Sequence, residues 1–98
     1  MLQQGYFITA ELKATDPDHL QHTKDELEKL CKATIKEPGC SLFSLHQSNL
    51  HHDRFILWER FDNEAAYKQH FEEKHTKDYF KLGLTEIVQT FQTDLLYT

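Results

Sequence analysis

The sequence predicts an α+β fold in which two helices pack on a four-stranded antiparallel sheet. Three observations carry this expectation. Alternating apolar segments have strand length, amphipathic segments with capping residues lie between them, and a short polar stretch joins the two middle strands.

The elements are taken in chain order. Tyr6 to Lys13 alternates, with Tyr6, Ile8, Ala10 and Leu12 on one side, as a half-buried strand does. Asp16-Pro17 then starts a helix, because an Asp side chain can accept from the free N–H groups and proline suits the first helical position. Leu20, Leu27, Leu30, Cys31 and Ile35 form its apolar stripe. The helix must stop by Glu37, since Pro38 disfavours helical geometry before it and Gly39 permits a turn. A second strand runs from Cys40 to about Gln47 and a third from Arg54 to Phe61, joined by a polar turn as an antiparallel hairpin. Asp62 or Asn63 caps a second helix carrying Ala66, Tyr67, His70 and Phe71. His75-Thr76 interrupts it, with Thr76 a cap for a short further turn bearing Tyr79, Phe80 and Leu82. The last strand is expected from about Glu86 to Leu96. This is the ferredoxin-like βαββαβ order, read as one domain over residues 1–98.

Bulk properties bound the function. A chain of 98 residues buries one modest core, and its 12% aromatic content supplies the bulk that a 39% apolar composition otherwise lacks. The net charge of −5 offers no basic stripe to displace counterions from nucleic acid. No apolar run reaches the length of a membrane span, and no signal-peptide core is evident. Cys31 and Cys40 read as free thiols, which makes the cytoplasm the expected compartment.

The third strand poses a covering problem. Phe55, Leu57 and Phe61 fall on one face, Ile56 and Trp58 on the other, so both faces call for burial. Two helices cover one face of such a sheet. A second copy of the chain, related by a two-fold axis, is the economical cover for the other.

Several segments together carry a family resemblance. Glu37-Pro38-Gly39-Cys40 enters the second strand, His46-Gln47 closes it, and Phe55 to Phe61 ends in an aromatic-Glu-Arg-aromatic run. Asn63 to Phe71 comes next, then Lys74-His75. In order and spacing these resemble the antibiotic biosynthesis monooxygenase domain family, over nearly the whole chain. The resemblance implies a dimeric α+β barrel. It also implies one of three activities: cofactor-independent oxygenation of quinols or polyketide phenols, isomerisation of a phosphorylated sugar, or haem degradation. The haem branch uses an Asn late in strand one, a Trp in the second helix and a His in the next turn. Leu12, His70 and Phe80 stand at those positions here, which disfavours haem.

The candidate catalytic residues are His70, His75 and Glu59. A neutral imidazole can take a phenol proton, leaving the electron-rich phenolate that reacts with dioxygen. Glu59 shares a strand face with Phe55, Leu57 and Phe61, where desolvation favours its neutral form. Phe43, Leu57, Trp58, Tyr67, Phe71 and Tyr79 are the candidate lining for a small aromatic substrate, although alternation puts Trp58 and Glu59 on opposite faces. The oxygenase reading needs no cofactor. No metal site is expected, because the i, i+5 spacing of His70 and His75 separates them on a continuous helix, and His19, His22, His46, His51 and His52 form no compact ligand set. Cys40 is expected to be a structural thiol. An isomerase would need Arg54, Arg60 or Lys74 to hold a phosphate. A non-catalytic dimeric module binding a small ligand is the third reading. If the face bearing Glu59 turns away from the helices, the dimer interface floors the pocket; if the helices cover it, Glu59 needs a partner of its own.

Overall fold

Residues 3–98 are described by the computed structural model, so the first two residues of the expected domain lie outside it. The order is β1 (Tyr6–Ala14), a 3-10 turn (Pro17–His19), α1 (Leu20–Thr34), β2 (Cys40–Gln47), β3 (Arg54–Phe61), α2 (Glu64–His70), α3 (Lys74–Leu82) and β4 (Thr85–Thr93). The four strands form one antiparallel sheet in the order β2-β3-β1-β4. This is the ferredoxin-like α+β arrangement, with the second helical segment divided in two.

Local chemistry sets the boundaries. Asp16 caps the first turn by accepting from the Asp18 N–H at 3.1 Å, and the chain makes one 3-10 turn before α1 proper. Asn63, rather than Asp62, caps α2 by accepting from the Ala66 N–H at 2.9 Å. Thr76 does not cap the following helix. That helix begins at Lys74 after an extended Glu73, leaving Thr76 buried in its first turns. Gly83 ends α3 with φ 62°, the left-handed geometry that glycine adopts without steric cost. β4 closes at Thr93, three residues before the expected end; beyond it the Leu95 N–H reaches the Gln4 side chain.

The buried stripe of α1 also differs from the expected one. Thr23, Leu27, Leu30 and Thr34 face inward, whereas Ile35 lies just past the helix and is 44% exposed. Both threonines repeat at the i, i+4 and i, i+7 steps of the leucines, so helical phase places them inside despite their hydroxyls.

The helix-facing side of the sheet carries Ile8, Ala10, Leu12 and Ala14 from β1, Phe43 from β2, and Phe55, Leu57, Glu59 and Phe61 from β3. Phe55, Phe61 and Leu27 are fully buried and contribute on the order of 1.5–3 kcal/mol each through apolar burial. Glu59 therefore lies beneath the helices, and the opposite face does not floor its pocket. The opposite face is mixed, with Phe7, Ile56, Trp58 and Phe91 set among Arg60 and the Arg54–Glu11 pair. Thr9 pairs with Trp58 on one side and Phe91 on the other, and both rings are about half exposed. Among the described residues no helix is long and apolar enough to cross a membrane.

Candidate active site

A cavity opens between the helix-facing side of the sheet and the pair α2–α3. Its volume is about 70 Å³, and it is open to solvent at the mouth. The helices cover β2, β3 and β1 but leave the inner side of β4 bare, so Thr85, Ile87 and Thr90 form one wall of the opening. Leu57, Phe43 and Tyr79 supply apolar depth, while Tyr67, Phe71 and Phe80 supply aromatic edges. Phe71 and Phe80 lie nearly parallel with ring centroids 6.1 Å apart, and Phe71 meets Tyr67 edge-on at 5.0 Å.

Two titratable groups face this space. Glu59 is 6% exposed, lines the cavity, and forms no hydrogen bond with any described residue. Burial, followed by the nearby charge of Glu37, pushes its carboxyl up to about 8. It is thus a neutral acid at pH 7, able to donate as well as accept. His70 is 4% exposed and also lines the cavity. Desolvation holds its imidazole below the usual histidine range, against the opposing pull of Glu37.

What fixes the His70 ring is Glu37, a residue that the sequence places within a motif without marking a role for it. Nδ1 of His70 donates to Oε2 of Glu37 at 2.8 Å, and Nε2 of His75 reaches the same oxygen at 2.6 Å. The Thr76 hydroxyl approaches His70 Nδ1 at 3.3 Å. With Nδ1 occupied as donor, the neutral ring carries its lone pair on Nε2, which has no hydrogen-bond partner among the described residues. The arrangement is an imidazole base oriented by a buried carboxylate.

The expected separation of the two histidines is overturned. It took the helix bearing His70 to run on to a break at His75-Thr76, but α2 ends at His70 and α3 starts at Lys74, so each imidazole is placed by its own helix. The three donor atoms of Glu37, His70 and His75 lie within 4.8 Å of one another. His75 does not line the cavity; it faces a groove between α1 and α3.

The other expected site residues divide cleanly. Phe43, Leu57, Tyr67, Phe71 and Tyr79 share the cavity with Glu59 and His70. Trp58 does not. It lies against His46 on the opposite face, ring centroids 4.3 Å apart and tilted by 38°, as strand alternation requires. Ile87, Thr90 and Phe80 complete the mouth and are not evident from sequence, because an edge strand and an exposed helix flank look solvated there. No lysine or arginine lines the cavity. Arg54 pairs with Glu11 at 2.7 Å, Arg60 is held by Ser41 and the Gln3 carbonyl over the Phe7 ring, and Lys74 pairs with Asp78. Burial pushes the thiols of Cys31 and Cys40 up to about 11, so neither is a ready nucleophile.

The chain thus has the ferredoxin-like α+β fold with an apolar cavity under its helices that holds one acid and one base. The family pattern described as antibiotic biosynthesis monooxygenase matches residues 5–82, so the chain belongs to that family. A relative, the uncharacterized protein YjcS of Bacillus subtilis (strain 168), is 39% identical over 82 residues, covering 84% of this chain and 78% of that protein. A solved YjcS structure superposes with a TM-score of 0.85 at 35% identity, over 93% of this chain and 98% of the other. A candidate antibiotic biosynthesis monooxygenase from Nitrosomonas europaea shares the fold at a TM-score of 0.76 and 18% identity, covering 97% and 92% of the two chains.

Proposed function

We propose that the protein is a cofactor-independent monooxygenase acting on a small phenolic or quinol-type aromatic compound. The observation that carries this reading is the pairing of a carboxylate-oriented His70 with a buried Glu59, free of hydrogen-bond partners among the described residues, in one apolar, aromatic-edged cavity. Nε2 of His70 takes the phenolic proton, and the electron-rich ring then passes electrons to dioxygen. A carbon–oxygen bond forms, the resulting hydroperoxide loses water, and a quinone remains: one oxygen atom enters the product, and the other leaves as water with two substrate hydrogens. Glu59 donates a hydrogen bond to the oxygen on which negative charge develops. The aromatic edges hold the flat ring in register.

The isomerase alternative needs a cationic contact for a phosphate. The cavity has none, which favours a neutral aromatic ligand over a phosphorylated one. The apolar row of Trp58 and Phe91 supports a homodimer formed through the outer face of the sheet. The two cysteines, unpaired in the structure, fit a reducing cytoplasm.

The test is oxygen uptake by metal-free, flavin-free protein with a model hydroquinone or anthrone. Turnover above the buffer rate, reduced roughly 100-fold or more in His70→Ala, is expected. An uptake rate that added protein leaves unchanged, across a panel of such compounds, would overturn the proposal.

A further inference from the structure

The Glu37–His70–His75 cluster has a second chemical capacity, independent of any reaction in the cavity. Two imidazole nitrogens and one carboxylate oxygen converge from three separate segments, all within 4.8 Å of one another. Ligands held about 2.0–2.1 Å from a tetrahedral zinc ion lie roughly 3.3 Å apart. To reach that geometry the spacings of 2.8 and 2.6 Å to Glu37 Oε2 open slightly, while the two imidazole nitrogens, within 4.8 Å of each other, draw together around the ion.

Charge and access point the same way. The Glu37 side chain is 7% exposed, and its only salt-bridge partners among the described residues are the two histidines. No lysine or arginine compensates it there, and a buried carboxylate without a fixed cation is a favourable place for a mobile one. His75, with 26% of its side chain exposed, opens onto the groove between α1 and α3. Glu26 and Asp78 line that groove, Asp78 paired with Lys74 and Lys29 beside them, so it is an open polar route to the cluster.

We propose that Glu37, His70 and His75 form a site for a divalent transition metal of the zinc class, entered from the α1–α3 groove. The nitrogen-rich donor set selects zinc, cobalt or nickel over magnesium and calcium, which prefer all-oxygen shells. Three protein ligands leave a coordination position for water. Binding also reverses the role of His70. In the free protein Nδ1 carries the proton and Nε2 the lone pair; a metal on Nδ1 requires the proton to move, through solvent, to Nε2. The ring then presents a donor to the cavity in place of an acceptor. On the oxygenase reading above, and resting on it, the ion removes the base at His70; metal binding itself stands apart from that reading.

The experiment uses the metal-stripped full chain titrated with Zn²⁺ by calorimetry and with Co²⁺ by visible absorption. One ion per chain is expected, with the intense visible bands of a low-coordinate cobalt site and an increase in melting temperature. Mg²⁺ should give none of these. Because His75 is partly exposed, His75→Ala should keep the fold by circular dichroism while weakening Zn²⁺ binding roughly tenfold or more. His51→Ala, in an exposed turn, serves as the surface-histidine control and should bind normally. Absence of saturable binding below about 100 μM Zn²⁺, or unchanged binding by His75→Ala, would overturn the proposal. Neither readout depends on oxygenase activity, so the two proposals fail separately.

Discussion

Oε2 of Glu37 and Nδ1 of His70 lie 2.8 Å apart although the residues are 33 positions apart in the chain. One belongs to the turn between α1 and β2, the other to the last residue of α2. The contact ties the entry of the second strand to the cavity wall, so changes in that turn should be read out in the cavity.

Glu37→Gln tests this directly. Its amide oxygen accepts more weakly than a carboxylate, and the His70 and His75 imidazoles both lose their charged partner. A stability loss of about 1–3 kcal/mol in urea unfolding is expected. Quinol turnover should fall by roughly 100-fold, because the His70 ring loses the bond that fixes its tautomer.

Glu59 predicts a pH dependence of stability. Its ordinary value is 4.5 and its folded value about 8, so between these the native state holds the extra proton. Stability contributed by the neutral acid is complete below pH 4.5 and is lost as pH rises through 8. In Glu59→Gln this component should vanish. The urea midpoint of the variant, measured against wild type, should gain progressively from about pH 5 to pH 9.

Gly39 is limited by space. A Cβ there would stand 2.5 Å from the Ala66 Cβ on α2, and little flexible side chain is present to yield. Gly39→Ala should cost about 1–3 kcal/mol through overpacking, measured by chemical denaturation. Cavity-ligand affinity should fall with it, since the shift displaces α2 and its His70.

The outer face carries the prediction for assembly. Trp58→Glu places a charge in the apolar row beside Thr9 and Phe91. Analytical ultracentrifugation should show a dimeric wild type and a monomeric variant. The far-UV spectrum should be unchanged, because Trp58 is 52% exposed within one chain.

The fold is legible in the sequence because its signals are local. Pro38-Gly39 and the polar Ser48 to Asp53 stretch bound β2 and β3, and their alternation sorts Glu59 from Trp58 by face. The site is half legible. Glu59 and five of the lining residues follow from face and phase, while His70 is singled out mainly by the family resemblance. Glu37 does not, because a glutamate before Pro-Gly has the composition of a solvated turn, and only tertiary packing encloses it. The neutral Thr23 and Thr34 escape notice for the same reason: residue polarity suggests water, while helical position dictates burial.

The interruption at residues 71–73 has a consequence for how such a chain can vary. Each added residue in an α-helix rotates the downstream side chains by about 100° around its axis. His70 and His75 meet at Glu37 because α2 and α3 are separately phased across that short gap. A single-residue insertion or deletion there could leave the four strands registered while swinging His75 off the shared oxygen. Relatives that differ in length at this point would keep the architecture and lose the cluster, so gap position, more than overall identity, is the inherited mark to compare among them.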